Sequence, residues 1–348
     1  MLHKSKITYQ EKYESFLLRK TIFLLCFGFL LILDSQGQIP IDTSHYIKDN
    51  PNIYSILVSR NGHIIYKKYF GDYTEKSLFN DQSLTKSIVS ILIGIAIDKG
   101  YIKSVDEKAA DFLPELKNDP DKRKQEISIR EIMNQASGFY HEELTAIPDF
   151  LQLPNPSDYV LKAPLVTDPG KTFHYNNAAS HLLSVIISKS TNIDSRSFAK
   201  KYLFDPLGVT EFDWAKMKDG YFDGSGLLSI RLRSEGMLKI GELLLHGGVF
   251  DGKQIVSSKW VNLILNPDIF YHTEWGFDQS NYALCWYHCD YKGTKLIYGM
   301  GWGGQFLILV PSLQAIIVIN ESHDDATAVQ QSTTFIHRIF PMIFEQLK

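Results

Sequence analysis

The chain of 348 residues is poor in cysteine, with three, and it has no repeated unit and no low-complexity tract. Cys26 falls in an N-terminal apolar run, which leaves Cys285 and Cys289 for the folded part. If they share a strand they lie on one face, too far apart to bond. A disulfide scaffold is therefore excluded and two free, buried thiols are expected. Excess charge of one sign is also missing: 36 basic and 39 acidic residues leave a net charge of -3. That gives no basic footprint for a nucleic acid. The eleven histidines do not cluster, and His141-Glu142-Glu143 lacks metalloprotease spacing. No metal and no cofactor is implied.

A span of bilayer length is absent as well. The apolar run Thr21–Leu33 has 13 residues, against roughly 20 for a membrane-spanning helix. Lys4, Lys6, Lys12, Arg19 and Lys20 precede it, and Ser35-Gln36-Gly37 follows with small residues at the -3 and -1 positions. This is the pattern of a signal peptide over residues 1–37, cut before Gln38. It predicts an exported, periplasmic or extracellular protein with no stable membrane insertion after cleavage. An uncleaved anchor is the alternative. Residues 38–348 read as one globular domain.

Two strand-like runs, Ile53–Arg60 and His63–Phe70, flank Asn61-Gly62, a strong hairpin signal. Strands return at Tyr282–His288, Lys295–Tyr298, Gln305–Val310 and Gln314–Ile319. Between about 101 and 280 helices and loops dominate. A short helix is expected over Ser104–Leu113, a solvated loop over Lys117–Lys124, and a capped helix from Ser128. An irregular stretch with four prolines is expected over 141–168, and a flexible loop at Asp223–Gly226. Asp325–Lys348 closes as a helix. Strands at both ends must pair with each other. The fold class is α+β, with a central antiparallel sheet from about 50–70 and 281–320, flanking helices and a helical insert lobe. A cleft beside that lobe is the expected site.

The chain is organised around Asp81-Gln82-Ser83-Leu84-Thr85-Lys86 and the apolar run that follows to Ile97. The run is too long for a strand and ends at Lys99-Gly100, so it reads as a buried helix with Asp81 as its N-cap. Ser83, Ser87, Ser90 and Gly94 form a stripe of small residues that admits a close neighbour. Ser83 and Lys86 are three apart and share a face. A serine hydroxyl becomes a nucleophile only when a base takes its proton, and an amine is that base only in its neutral form. The same Ser-x-x-Lys spacing recurs at Ser197 and Lys200, in a stretch that reads as a solvated amphipathic helix.

Tyr175-Asn176-Asn177 is the one Tyr-x-Asn in the chain, placed just before a second buried helix. A phenol there can shuttle protons to a leaving group. Gly299-Met300-Gly301-Trp302-Gly303-Gly304 matches a dinucleotide fingerprint literally, but a strand follows it where that fingerprint needs a helix. Its glycines suit a backbone that approaches a ligand along an edge strand.

Taken together and in this order, Ser83-Leu84-Thr85-Lys86, Tyr175-Asn176-Asn177 and the Trp302-Gly303-Gly304-Gln305 region resemble the serine β-lactamase-like hydrolases. The branch is that of class C β-lactamases, D,D-peptidases, esterases and 6-aminohexanoate-dimer hydrolases. The resemblance covers about residues 50–320 and implies a β-lactamase/transpeptidase-like fold. It implies two-step acyl transfer to a small-molecule ester or amide without a cofactor. Ser83 is then the nucleophile, Lys86 and Tyr175 share the base and acid roles, and Asn177 binds Lys86 and substrate. The backbone N–H groups of Ser83 and Trp302, at the end of the strand carrying Gly301, form the oxyanion hole. One departure stands out. The family's third motif, Lys-Thr-Gly or His-x-Gly, is here Gly299-Met300-Gly301, so the side chains that hold a substrate carboxylate are missing. Arg231 and Lys295 are candidates to replace that charge. The departure argues against penicillins and cephalosporins as good substrates, and it motivates a second reading as a binding or sensor protein that does not turn over.

Overall fold

A computed structural model describes residues 52–140 and 147–348. The signal-peptide reading and His141-Glu142-Glu143 lie outside the described residues. Asn61 and Gly62 both take positive φ, 51° and 76°, and close the hairpin of β1 (Ile53–Arg60) and β2 (His63–Tyr69). A positive φ at both central residues is what a turn matching the strand twist demands. The remaining strands of the sheet are β3 (Tyr271–His272), β4 (Asn281–Ala283), β5 (Trp286–Tyr291), β6 (Thr294–Gly301), β7 (Gln305–Val310) and β8 (Ala315–Glu321). They form one eight-stranded sheet in the order β2-β1-β8-β7-β6-β5-β4-β3. β1 and β8 pair antiparallel, Val58 facing Ile317, so the two ends of the chain meet in mid-sheet as expected.

Every residue of β7 and β8 is buried. Such strands are uninterrupted apolar runs because both faces of the sheet are covered. Alternate residues divide the task. Phe306 meets Phe335 of the C-terminal helical segment, ring centroids 4.8 Å apart. Leu307 and Leu309 enter the core shared with α1 (Leu84–Asp98), α2 (Asn177–Thr191), α3 (Ser234–Leu245) and α4 (Ser258–Leu265). A Cβ on Gly241 of α3 would meet Ile316 Cγ2 at 2.7 Å, so α3 lies almost flush on β8. Among the described residues no helix is long and apolar enough to cross a membrane.

The helical lobe departs from the sequence reading in places. Ser104–Leu113 is not a helix beyond one 3-10 turn at Ala109–Asp111. Lys108 instead bridges to Ser128, which draws the segment out. Lys117–Lys124 is not a loose loop: Lys124 is buried, 2.7 Å from Asp119 and 2.9 Å from the Leu161 carbonyl. A charge taken out of water is kept only where such partners meet it. The proline-rich stretch holds two short helices, Ile147–Gln152 and Pro156–Lys162. In the second, Asn155 caps Asp158 and Pro156 takes the first helical position, where its missing N–H costs nothing. Tyr282–His288 is not one strand. Leu284 and Cys285, φ 50° and 68°, make a tight turn between β4 and β5. No glycine or asparagine announces it. It is imposed from outside by Leu284 N–H donating to Asn134 Oδ1, Cys285 N–H to the Met133 carbonyl and Ser87 Oγ to the Cys285 carbonyl. Both cysteines are free and buried, as expected.

Candidate active site

The short strand Phe79–Asn80 pairs with Ile230–Leu232 and delivers the chain to α1. Asp81 N–H donates to the Ile230 carbonyl, and the carbonyls of Asp81 and Gln82 accept from Leu84 and Thr85 N–H. These main-chain acceptors supply the first turn of α1. Asp81 is therefore not the N-cap: that position is Ser83, itself in helical conformation with no side-chain cap. The Asp81 carboxyl is buried without a hydrogen-bond partner among the described residues, and burial pushes its pKa well above the usual range. The stripe of small residues does admit close neighbours, but two different ones. Ser87 faces β6, and Gly94 lies under Trp260 of α4, whose Cδ1 a Cβ would meet at 2.2 Å.

Lys86 is buried one turn into α1, 1 % exposed. Its Nζ lies 3.1 Å from Ser83 Oγ and 2.9 Å from Asn177 Oδ1, and it donates a short hydrogen bond to the Ser225 carbonyl. Asn177 and Ser225 can only accept through these atoms. They fix two N–H directions of the amine, and the third tetrahedral direction then points at Ser83 Oγ. A neutral amine in that place keeps both fixed bonds and turns its lone pair on the serine hydroxyl. Ser83 itself is partly exposed, open to a ligand.

Asn176 caps α2 by accepting from Ala179 N–H, which sets Asn177 at the start of the helix and facing Lys86. Tyr175, just before the cap, presents its ring to Lys86 Nζ, 4.8 Å from the centroid. No hydrogen bond joins its hydroxyl to Ser83 or Lys86 among the described residues. Its ring sits edge-on to Tyr282 at 6.4 Å, and burial, with a smaller push from the neighbouring Tyr175, holds Tyr287 far above the usual phenol range. Cys285 is part of the same enclosure. Burial raises its thiol to about 12, against an opposing pull from Lys86.

Gly301 closes the site from the sheet side. A Cβ there would stand 2.3 Å from the Asp81 carbonyl oxygen, and one on Gly299 would stand 2.8 Å from Ser87 Oγ. The glycines of β6 are thus required by the approach of α1. The side chain that the third motif would carry at position 299 has no room, because α1 occupies it. The β5–β6 ladder stops at Tyr287 and Tyr298, so Gly299–Gly301 leaves one edge unpaired by β5. The backbone N–H groups of Ser83 and Trp302 have no acceptor among the described residues. The Trp302 side chain lies against Trp275, centroids 6.5 Å apart, and donates from Nε1 to Asp325 at 2.8 Å. Lys295 is turned to the end of α4, donating to the Leu265 carbonyl and Asn266. Arg231 is exposed in the small sheet between Asn80 and Asp213.

The structure thus brings Ser83, Lys86, Asn177 and the Tyr175 ring together. It separates the second Ser-x-x-Lys: Ser197 is exposed and donates to Asp194, and Lys200 pairs with Asp205. What sequence reasoning missed is the segment from Asp223 to Leu228. It is not a flexible loop, since Asp223, Gly224, Ser225 and Gly226 are all buried. Its contribution to Lys86 is a main-chain carbonyl, which no residue type reveals.

Known proteins share this sequence pattern and this fold. The beta-lactamase family model matches residues 54–221. A 6-aminohexanoate-dimer hydrolase of Paenarthrobacter ureafaciens is 23% identical over 291 residues, which cover 78% of this chain and 73% of that protein. The octameric penicillin-binding protein homologue from Pyrococcus abyssi superposes with a TM-score of 0.68 at 18% identity, over 86% of this chain and 76% of that one. A class C beta-lactamase from Rhodobacter sphaeroides superposes with a TM-score of 0.64 at 14% identity, over 88% of this chain and 98% of that one. These two structures match more of the chain than residues 54–221. Residues 54–221 thus match the beta-lactamase family model, in a chain similar to a 6-aminohexanoate-dimer hydrolase and folded like the class C β-lactamases and penicillin-binding proteins.

Proposed function

We propose that the protein is an exported serine hydrolase that acts on a small neutral ester or amide through an acyl-enzyme on Ser83. The observation that carries this is the Lys86 amine, held by Asn177 and Ser225 with its remaining direction on Ser83 Oγ. Ser83 Oγ attacks the substrate carbonyl and passes its proton to Lys86. The oxyanion forms between the N–H groups of Ser83 and Trp302, where each donor is worth about 3 kcal/mol of barrier. Collapse breaks the ester or amide bond, and the departing oxygen or nitrogen takes a proton from the Lys86–Tyr175 pair. Water then adds to the acyl carbon, giving a proton to the same pair, and that proton passes to Ser83 Oγ as the acyl–serine bond breaks. The relation to 6-aminohexanoate-dimer hydrolase favours a linear amide or ester. The side chain missing at Gly299 disfavours substrates anchored by a carboxylate.

A panel of p-nitrophenyl esters, linear amides, D-amino-acid amides and a chromogenic cephalosporin tests this reading. Esters or linear amides are expected to be the fastest, and a cephalosporin turned over faster than all of them would contradict it. The second reading, a sensor that acylates and does not turn over, draws on the same Gly299-Met300-Gly301. It is the outcome if the adduct on Ser83 persists for hours.

A further inference from the structure

Lys86 donates to a main-chain carbonyl in the segment Asp223–Leu228, so something must hold that carbonyl in place. The holding groups are two buried side chains outside the reacting set. The Asp223 carboxylate, fully buried, organises the segment from inside. Its Oδ1 accepts from Ser225 N–H at 2.7 Å and Ser225 Oγ at 2.5 Å, and its Oδ2 from Gly226 N–H at 2.9 Å and Leu228 N–H at 2.7 Å. Four donors on one carboxylate leave the segment a single conformation. Gly226, at φ +88°, presses on the nucleophile: a Cβ there would stand 2.4 Å from the Gln82 carbonyl oxygen and 2.8 Å from Ser83 Cα.

His181 ties this segment to α2. It lies four residues after Asn177, on the same face of the helix, and is fully buried. Gly224 N–H points at His181 Nδ1 at 3.3 Å, so Nδ1 is the acceptor and Nε2 carries the proton donated to Asp219 Oδ2 at 2.9 Å. Asp223 Oδ1 stands 3.7 Å from the same Nδ1. Asp219 is fixed in turn by Ser157 Oγ at 2.5 Å and by Tyr221 N–H at 3.1 Å. A Cβ on Gly224 would meet the Ser180 carbonyl at 2.9 Å, so the segment lies flush on α2. One helix face therefore delivers Asn177 directly to Lys86 and, one turn on, holds the segment that delivers the other acceptor.

We infer that Asp223 and His181 are positioning residues for the reaction at Ser83: they lock the Ser225 carbonyl and Gly226 so that the Lys86 amine and the Ser83 backbone keep their relative places. This rests on the reading of Ser83 and Lys86 as the reacting pair. Asp223→Asn is the sharpest probe, since it is isosteric but puts an amide N–H against backbone N–H groups. His181→Gln is the milder one, since its amide can still reach Asp219 but leaves Gly224 without its acceptor.

The measurement is saturation kinetics of an alkyl fluorophosphonate reacting with Ser83, followed by intact mass, with thermal melting of each variant. Wild-type labelling at Ser83 must come first; its absence would sink the hydrolase reading itself. With the wild type labelled, the array predicts a limiting rate down roughly 10²-fold in Asp223→Asn, because small misplacements of reacting groups cost that much. His181→Gln should fall in between, and the half-saturating concentration should stay within about twofold in both, since the probe's own contacts are untouched. Folded variants with limiting rates within about threefold of wild type would overturn the inference. So would loss of cooperative melting in both variants, which would assign the array to the fold as a whole.

Discussion

Lys86→Met should leave a folded protein whose kcat/KM on the best ester is lower by about 10³-fold, or roughly 4 kcal/mol of barrier. The substitution keeps the length and bulk of the side chain and removes the amine. Helix α1 does not depend on that amine for its place. Leu84, Ile88, Ile91, Leu92 and Ile95 are all fully buried, and each contributes about 1.5–3 kcal/mol by leaving water. Two acceptors, Asn177 Oδ1 and the Ser225 carbonyl, lose a donor, which costs about 1–3 kcal/mol each at most. The rate loss is specific because no other amine or imidazole is hydrogen-bonded to Ser83 among the described residues. A variant that keeps more than about a tenth of wild-type kcat/KM would show that the base is elsewhere.

The contribution of His288 to stability should fall by about 1.4 kcal/mol per pH unit below roughly pH 6.5, measured as the difference between wild type and His288→Phe. His288 lies on β5, opposite Ile297 and Asn281, with its ring edge-on to Phe270 at 5.2 Å. Neither ring nitrogen has a partner among the described residues. Burial, with a smaller push from Lys295, lowers its pKa to about 3. The folded pKa is below the unfolded one, so between pH 6.5 and 3 the unfolded chain binds the extra proton. The contribution is intact above about pH 6.5 and is lost progressively as pH falls toward 3. Over the whole window the loss reaches about 5 kcal/mol. Asp81 and Glu321 act in the opposite direction. Burial raises both carboxyls, so what they cost appears as pH rises past the ordinary carboxylate range. The difference between wild type and His288→Phe isolates the histidine. In urea melts from pH 7.5 to 4.5 the stability of the variant relative to wild type should grow by about 1.4 kcal/mol per pH unit below pH 6.5. The variant should also be more stable at neutral pH, since two unpaired ring nitrogens are removed. Parallel pH dependences would contradict this assignment.

Much of the frame is legible in the residues because it is local. Asn61-Gly62 declares a hairpin, and Ser128 with Glu131 forms the capping box its spacing announces. The pairing of β1 with β8 follows from strands at both chain ends with no other partners. The candidate site is legible for a different reason. Ser83 and Lys86 are adjacent on a helix, and Asn177 starts the one helix that a Tyr-x-Asn opens. The errors fall where an outside contact overrides a local preference. Asp81 has the residue type of a cap, but main-chain carbonyls take that duty and leave its carboxyl buried. Asp223-Gly224-Ser225-Gly226 has the composition of a flexible loop, yet one carboxylate and one histidine make it among the most enclosed parts of the site. Leu284 and Cys285 hold positive φ against their own preference because Asn134, Met133 and Ser87 bond the turn from outside. The residue types of Gly299 and Gly301 do not reveal that α1 lies against them.

The account stands on Ser83 forming a covalent bond, and intact-mass spectrometry after exposure to a fluorophosphonate reads that directly. One adduct should appear on the wild type, map by peptide to Ser83, and vanish in Ser83→Ala. A wild type that stays unmodified, or a Ser83→Ala protein that is modified equally, would contradict it.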